Sequence, residues 1–332
     1  MNRRGRVQPL LLLLTLAVVL IALSIGKIPV SPEHWKEILL GRMDTSAPQW
    51  VALVQIRLPR ILAALLIGAG LSASGTVFQG LFQNPLVSPH ILGVASGSAF
   101  GAATFILLGA SVPLIRIGAF LFGLLSVVMA YGLGRFHRRS PLLMLVLSGV
   151  IIGSLFSALT SFLKYIADPM ERMPTIVFWL LGSLNNIGWQ DLAYSAPSIV
   201  LPLFLLWLYR WRLNLFSLGE EDAKSLGENT ELLKALVICC ATSITASAVA
   251  ISGVIGWIGL VIPHMARLLV GSDNRYALGV SMTLGALYLC LVDTLARSLS
   301  GMEIPIGILT AVIGAPTFAL LLRRAFPGEG EP

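Results

Sequence analysis

From Ile61 to Ile115 the chain carries no Asp, Glu, Lys or Arg. A stretch this long without charge cannot lie on a water-facing surface. One helical crossing of a bilayer takes about 20 apolar residues, so the run is long enough for two crossings and their connection. The connection is legible as "QNPLVSPH" at 83–90, where Asn84, Pro85 and Pro89 end one helix and start the next. Irregular backbone inside an apolar region must be wrapped in protein or face water. Two readings follow: a tight turn between two spans, for which Asn and Pro are suited, or a loop near the inner mouth of a pathway. His90 fits a hydrogen-bonded residue at a helix start better than a ligand.

Composition extends this to the whole chain. Of 332 residues 56% are hydrophobic and 12% charged, with a mean hydropathy of +0.85, whereas a soluble domain carries about 25% charged residues. The expected fold class is all-α: a polytopic membrane protein forming one transmembrane domain over 1–332. Ten spans are expected near 9–27, 58–81, 91–109, 113–134, 141–163, 191–209, 234–253, 256–270, 276–298 and 305–322, the eighth too short to cross fully. The first reads as a retained span, because its apolar run is long for a signal peptide and no clear small-residue cleavage site follows. With the N-terminus inside, the inner pieces hold 14 of the 23 Lys and Arg, which places both termini in the cytoplasm. The net charge of +7 then reflects inner loops, and no nucleic acid is implied.

Small residues recur at helical spacing, as Ala64, Gly68, Ser72 and Thr76 and as Gly93, Gly97 and Gly101. Such faces let helix backbones approach closely in lipid. No charged residue sits mid-span in the first seven segments. Asp293 and Arg297 in the ninth are one turn apart and read as a local ion pair. The three cysteines lie in apolar runs, and neither they nor His90 and His264 have metal-ligand spacing, so no metal and no cofactor is expected.

Four further features carry weight. A second Pro-His, in "GWIGLVIPHMAR" at 256–267, hints at two related halves. "LNLFSLGEEDAKSLGENT" at 213–230 is the most polar stretch: either a solvated loop, or a short helix with acids at its N-terminus and Gly227 at its stop that docks on a partner. "RLPR" at 57–60 puts Arg57 and Arg60 on the outer side, as snorkelling anchors or as a landing point for a negative group. No G-x-x-x-x-G-K-[ST] occurs, so the chain holds no P-loop, and no convergent catalytic set stands out. Without an intramembrane titratable site, a self-sufficient secondary transporter and a membrane enzyme are the weaker readings.

These blocks, "RLPRILAALLIGAGLSASGTVFQGLFQNPLVSPHILGVASGSAFG", "SLGEEDAKSLG", "GVIGWIGLVIPHMARLLVGSDNR" and "EIPIGILTAVIGAPTFALLLRR", resemble in order the FecCD/BtuC-like permeases, the transmembrane subunits of type II ABC importers for iron chelates, haem and vitamin B12. The resemblance covers about 50–324. It implies a ten-span permease, not itself an enzyme, in the inner membrane of a prokaryote. The implied partners are a second permease subunit (a homodimer), two cytoplasmic ATPase subunits and an extracytoplasmic substrate-binding protein. It implies that coupling helices within 213–230 use Leu218, Gly219, Glu220, Ala223, Leu226 and Gly227, and that Arg57, Arg60 and Arg297 receive the binding protein. The fifth and tenth spans would line the pathway, with Arg139, Ser140 and Pro141 near the gate and Ser148, Ser154, Ser157 and Thr160 as polar residues to test. Ferric siderophore is the first expected substrate; haem, cobalamin and molybdate are the alternatives.

Overall fold

The computed structural model describes residues 3–26, 28–134, 141–217, 225, 229–299 and 303–325. Each expected segment coincides with a helix over at least part of its length: α1 (Arg3–Ser24), α3 (Pro48–Leu81), α4 (Val94–Leu107), α5 (Val112–Gly134), α6 (Pro141–Ile166), α8 (Trp189–Leu208), α9 (Thr230–Ser252), α10 (Ile258–Val270), α11 (Asn274–Ser298) and α12 (Ile306–Ala325). Seven are long and apolar enough to cross a membrane, and α4, α10 and α12 are shorter apolar helices. Two short helices add to them, α2 (Pro32–Leu39) and α7 (Arg172–Leu180).

The centre of the bundle is the antiparallel pair α3–α11. The small face foreseen on α3 is what closes it. A Cβ on Gly68 would strike the carbonyl of Gly285, and one on Gly285 would strike that of Gly68. Ser72 Oγ donates to Ser281 O at 2.9 Å, and Thr76 Oγ1 to Ser281 Oγ at 2.8 Å. With no side chain between them, the backbones gain close dispersion contact and short interhelical hydrogen bonds. The second small face divides its work. Gly97 and Gly101 abut Phe122 and Gly118 of α5, while Gly93, at φ +82°, turns the chain against Gly153 of α6.

α1 runs parallel to α11, since Gln8 Nε2 donates to Thr283 Oγ1 at 2.8 Å and Arg297 Nη2 to Ala22 O at 2.5 Å. The ten alternating crossings expected from the sequence would require that parity. α9 packs on α3 through Ser74 Oγ and Ala241 O, and on α8 through Ser247 and Ser198 at 2.8 Å. The outer helices α1, α5, α6 and α8 keep most of their apolar residues exposed, as a lipid-facing surface requires.

Two of the expected spans are only partly helical. α4 has 14 residues and α10 has 13, or about 20 Å each against a hydrocarbon core of about 30 Å. Residues 84–93 and 253–257 supply the remainder as non-helical chain. The expected third span, 91–109, is therefore helical only from Val94, while the short eighth is short as foreseen.

Candidate transport pathway and the two ends of the bundle

The two broken segments meet. His90 Nε2 lies 3.2 Å from the carbonyl of Ile255. A carbonyl only accepts, so Nε2 carries the proton. Pro89 fits against Gly259 at the start of α10, where a Cβ would collide with the ring. Gln79 joins both sides: its Nε2 donates to Val87 O at 3.1 Å and to Leu260 O at 3.3 Å. Arg267 donates to Gln79 Oε1 and orients the amide. Backbone carbonyls freed by two helix breaks thus receive side-chain donors within the protein, which is the condition for irregular chain at membrane depth. "QNPLVSPH" contains the tight turn of the first sequence reading. It turns at Asn84, whose Oδ1 accepts from Leu86 N at 2.9 Å, and its far end is wrapped among helices.

A cavity of about 500 Å³ opens beside this junction, lined by Ser88, His90, Ser96, Ser154 and Ser157 and floored by Gly93, Gly149 and Gly153. The glycines explain its depth, since a Cβ on Gly149 would meet Ile91 O. Ser157 Oγ donates to Ser96 Oγ at 3.1 Å. The N-terminus of α4 has no side-chain cap, so its first N–H groups and the positive end of its dipole face this region. The cavity therefore offers hydroxyls and a partial positive charge without a fixed cation.

The predicted polar residues of α6 separate here. Ser154 and Ser157 line the cavity. Ser148 and Thr160 are buried away from it, and Thr160 Oγ1 bonds back to Phe156 O at 2.8 Å. Ser88 and Ser96 join the site from the broken segment and α4. Pro141 is the first residue of α6; Arg139 and Ser140 lie outside the described residues. So do Leu218, Gly219, Glu220, Ala223, Leu226 and Gly227.

At one end of the bundle Arg57, Arg60 and Arg297 converge, as their shared face in the sequence suggested. None is free. Arg57 is buried and donates to Leu23 O (2.7 Å), Ser24 O (3.3 Å) and Ile28 O (2.5 Å), closing the chain that leaves α1. Arg60 is held by Asp293 at 2.8 Å and Glu303 at 3.0 Å. Arg297 bonds Ala22 O and approaches Asp293 at 3.6 Å. The local Asp293–Arg297 pair is present, but Asp293 has its shorter contact with Arg60. Three buried guanidiniums with two carboxylates and several carbonyls form an internal charge network rather than snorkelling anchors, although Asp293 Oδ2 and Arg297 Nε, 3.6 Å apart, each lack a hydrogen bond. Near them the seven residues Val51–Arg57 of α3 are π-helical, and the indole of Trp189 donates to Val54 O at 2.9 Å.

At the opposite end lie the 82–88 turn, the 3₁₀ turn Arg212–Ser217 and the α10–α11 turn. Asp273 caps α11, its side chain accepting from Arg275 N.

The profile of the FecCD transport family matches residues 13–324. The chain is 47% identical over 319 residues to the molybdate import system permease protein MolB of Haemophilus influenzae, covering 95% of this chain and 94% of that one. It is 39% identical over 320 residues to the probable iron chelatin transport system permease protein of Helicobacter pylori, covering 94% and 97%. A solved structure described as a metal-chelate type ABC transporter in an inward-facing conformation superposes with a TM-score of 0.88 at 45% identity, covering 96% of this chain and 99% of that one. With its apolar helices, the broken pair and a match across nearly its whole length, this chain belongs to the FecCD transport family of ABC importer permeases.

Proposed function

We propose that the chain is the membrane subunit of an ATP-driven importer in the inner membrane of a prokaryote, and that it carries a metal oxyanion of the molybdate type. Two copies form the conduit. Two ATPase chains sit at the end bearing the 82–88 turn and Arg212–Ser217, where the Lys and Arg bias places the cytoplasm and both termini. The acidic segment with Leu218, Gly219, Glu220, Ala223, Leu226 and Gly227 is their coupling element, and Arg139, Ser140 and Pro141 border the inner gate. A substrate-binding protein docks at the other end, on the surface that Arg57, Arg60 and Arg297 shape from beneath.

The observation that carries the substrate reading is the 47% identity to a permease named for molybdate import. The cavity's chemistry agrees with it. Hydroxyls and an uncapped helix N-terminus suit an anion, and the lack of a fixed cation suits one that must leave again. Iron chelate, with ferric siderophore foremost, is the second reading, favoured by the relative named for iron chelatin.

The test is uptake into vesicles holding the permease, its ATPase and its binding protein. ATP-dependent accumulation of molybdate is expected. Uptake of ferric siderophore alone would replace the first substrate with the second. Accumulation by the permease without any ATPase would defeat the importer reading itself.

A second expectation concerns the cavity. Ser154→Cys and Ser157→Cys should react with a water-soluble thiol reagent at rates that change with nucleotide in the assembled complex. Ser148→Cys and Thr160→Cys, at buried positions, should react slowly in every state. Equal labelling at all four positions would remove the pathway role from this cavity.

A further inference from the structure

The turn Arg212–Ser217 joins α8 to the acidic segment that begins at Leu218, and it is not a loose link. Leu213, Leu215 and Phe216 are buried. Asn214 bonds in both directions: its Nδ2 donates to Asp273 Oδ1 at 2.9 Å, and its Oδ1 accepts the backbone N–H of Asn274 at 2.8 Å. From the other side Gln83 Nε2 donates to the carbonyl of Phe216 at 2.5 Å. Gln83 has φ +49°, a left-handed conformation that is unfavourable for a residue with a Cβ. It is also the residue that opens the non-helical segment 84–93. One six-residue turn is therefore bonded at once to the head of the first broken segment and to the cap of α11.

We propose that Asn214 and Gln83 are positioning residues that clamp this turn, so that movement of the acidic segment displaces residues 84–93 and the α10–α11 turn together. The inference rests on the importer reading above. Its physical content is a short path. The broken segment carries Ser88 and His90 to the cavity and reaches 253–257 through the His90–Ile255 contact. A turn fastened at three apolar and three polar points transmits displacement, where a solvated linker would absorb it. The acceptor is also stable against pH. Hydrogen bonding from Arg275, opposed by partial burial and aided by Asn214, lowers Asp273 to about 2. A carboxylate lowered in the folded state contributes fully above its ordinary range and loses that contribution only as pH falls toward about 2. The clamp therefore stays charged at any pH used for transport.

The Asn214–Asp273 pair allows a test that separates positioning from folding, with the assembled complex in vesicles and ATP hydrolysed per substrate taken up as the readout. Asn214→Asp sets two carboxylates against each other, and Asp273→Asn removes the charged acceptor. Each should raise ATP consumed per substrate by about tenfold, the scale of one lost charge-assisted hydrogen bond. Basal hydrolysis and the yield of assembled complex should hold. The exchange Asn214→Asp with Asp273→Asn should restore the ratio, because the amide now donates from 273 to a carboxylate at 214, Asn caps a helix as well as Asp, and the Arg275 pair lost at 273 is half exposed and contributes little. Gln83→Met, which keeps the shape and removes the donor, should uncouple in the same direction. Wild-type coupling in the single variants overturns the clamp. So does loss of assembly in them, or an exchange that assembles but stays uncoupled. A wild-type complex that takes up nothing with ATP would instead count against the importer reading and leave the geometry of the clamp untouched.

Discussion

Gly285→Leu is expected to abolish the folded protein, leaving no monodisperse peak when membranes are solubilised. At this point two helix backbones touch without an intervening side chain: even a single Cβ on either Gly68 or Gly285 would overlap the opposite carbonyl. Overfilling a tight core costs about 1–3 kcal/mol where side chains can yield. Here the obstruction is backbone, which yields only if α3 and α11 separate. Separation also breaks the bonds from Ser72 to Ser281 O and from Thr76 to Ser281 Oγ, leaving hydroxyls unsatisfied in an apolar interior. α1, α9 and α10 lean on this pair, so the damage spreads beyond one interface. Gly132→Leu is the control. Its Cβ would have nothing within 4 Å, and the position is exposed on α5. That variant should elute and melt as the wild type does. If Gly285→Leu did the same, the close approach of α3 and α11 would be wrong.

The small faces that produce this contact were legible because spacing by four is a property of one helix. Their partners were not, since residue 68 meets residue 285 only through tertiary folding. Hydropathy placed α11 to within two residues and the end of α3 at Leu81 for the same local reason, while α3 begins at Pro48, ten residues before the expected start. It failed at Ile91 and Leu92, which are as apolar as any helical residue yet lie in the non-helical segment; a hydropathy window reads solubility, not backbone conformation. α2 and α7 escaped notice because they are eight and nine residues long, too short to cross. α7 also follows Asp168 and Glu171, which read as loop. Pro197, Pro202, Pro263 and Pro316 all stand inside helices, where a soluble-protein rule would have broken the chain. Neighbouring side chains reach two of the freed carbonyls, Ser243 Oγ donating to Ser198 O at 3.0 Å and Gln79 Nε2 to Gly259 O at 3.5 Å.

The candidate site was legible in part. Ser154 and Ser157 are three apart on α6 and share a face, so one correct lining residue implied the other. Ser148 falls on a different face, and Thr160 bonds its own helix. Nothing local marked Ser96, which joins the cavity only because Gly93 brings α4 against α6. The same limit applies to Asn214 and Asp273. Each is an ordinary turn residue alone, and the clamp exists only in their pairing.

The arginines at the other end show how far a charge pattern can be read without its partners, and they carry the second large prediction. Arg57 and Arg60 stood out because positive charge outside runs against the usual bias. Reversing them would be the natural test of docking to a negatively charged partner. At Arg60 that test measures folding first. Its guanidinium holds Asp293, which is fully buried, and Glu303, which is 25% exposed. Arg60→Glu would gather three carboxylates in that space, with Arg297 as the remaining described cation against Asp293. Removing one partner of a buried pair already costs about 3–5 kcal/mol, a large share of the 5–15 kcal/mol that holds a typical domain. Charge reversal adds repulsion to that loss, so Arg60→Glu should yield little or no assembled protein. Asp293→Ala should melt well below the wild type in detergent. Arg60→Met combined with Asp293→Leu should recover much of the difference, because an apolar pair leaves neither charge stranded. Arg297 keeps its bonds to Ala22 O and Ile25 O in that variant. Docking is then measured on the recovered background, as affinity for the binding protein. If Arg60→Glu instead folds and melts like the wild type and loses only that affinity, the arginine is a free landing point at the surface and its burial against Asp293 does not describe the protein in the membrane.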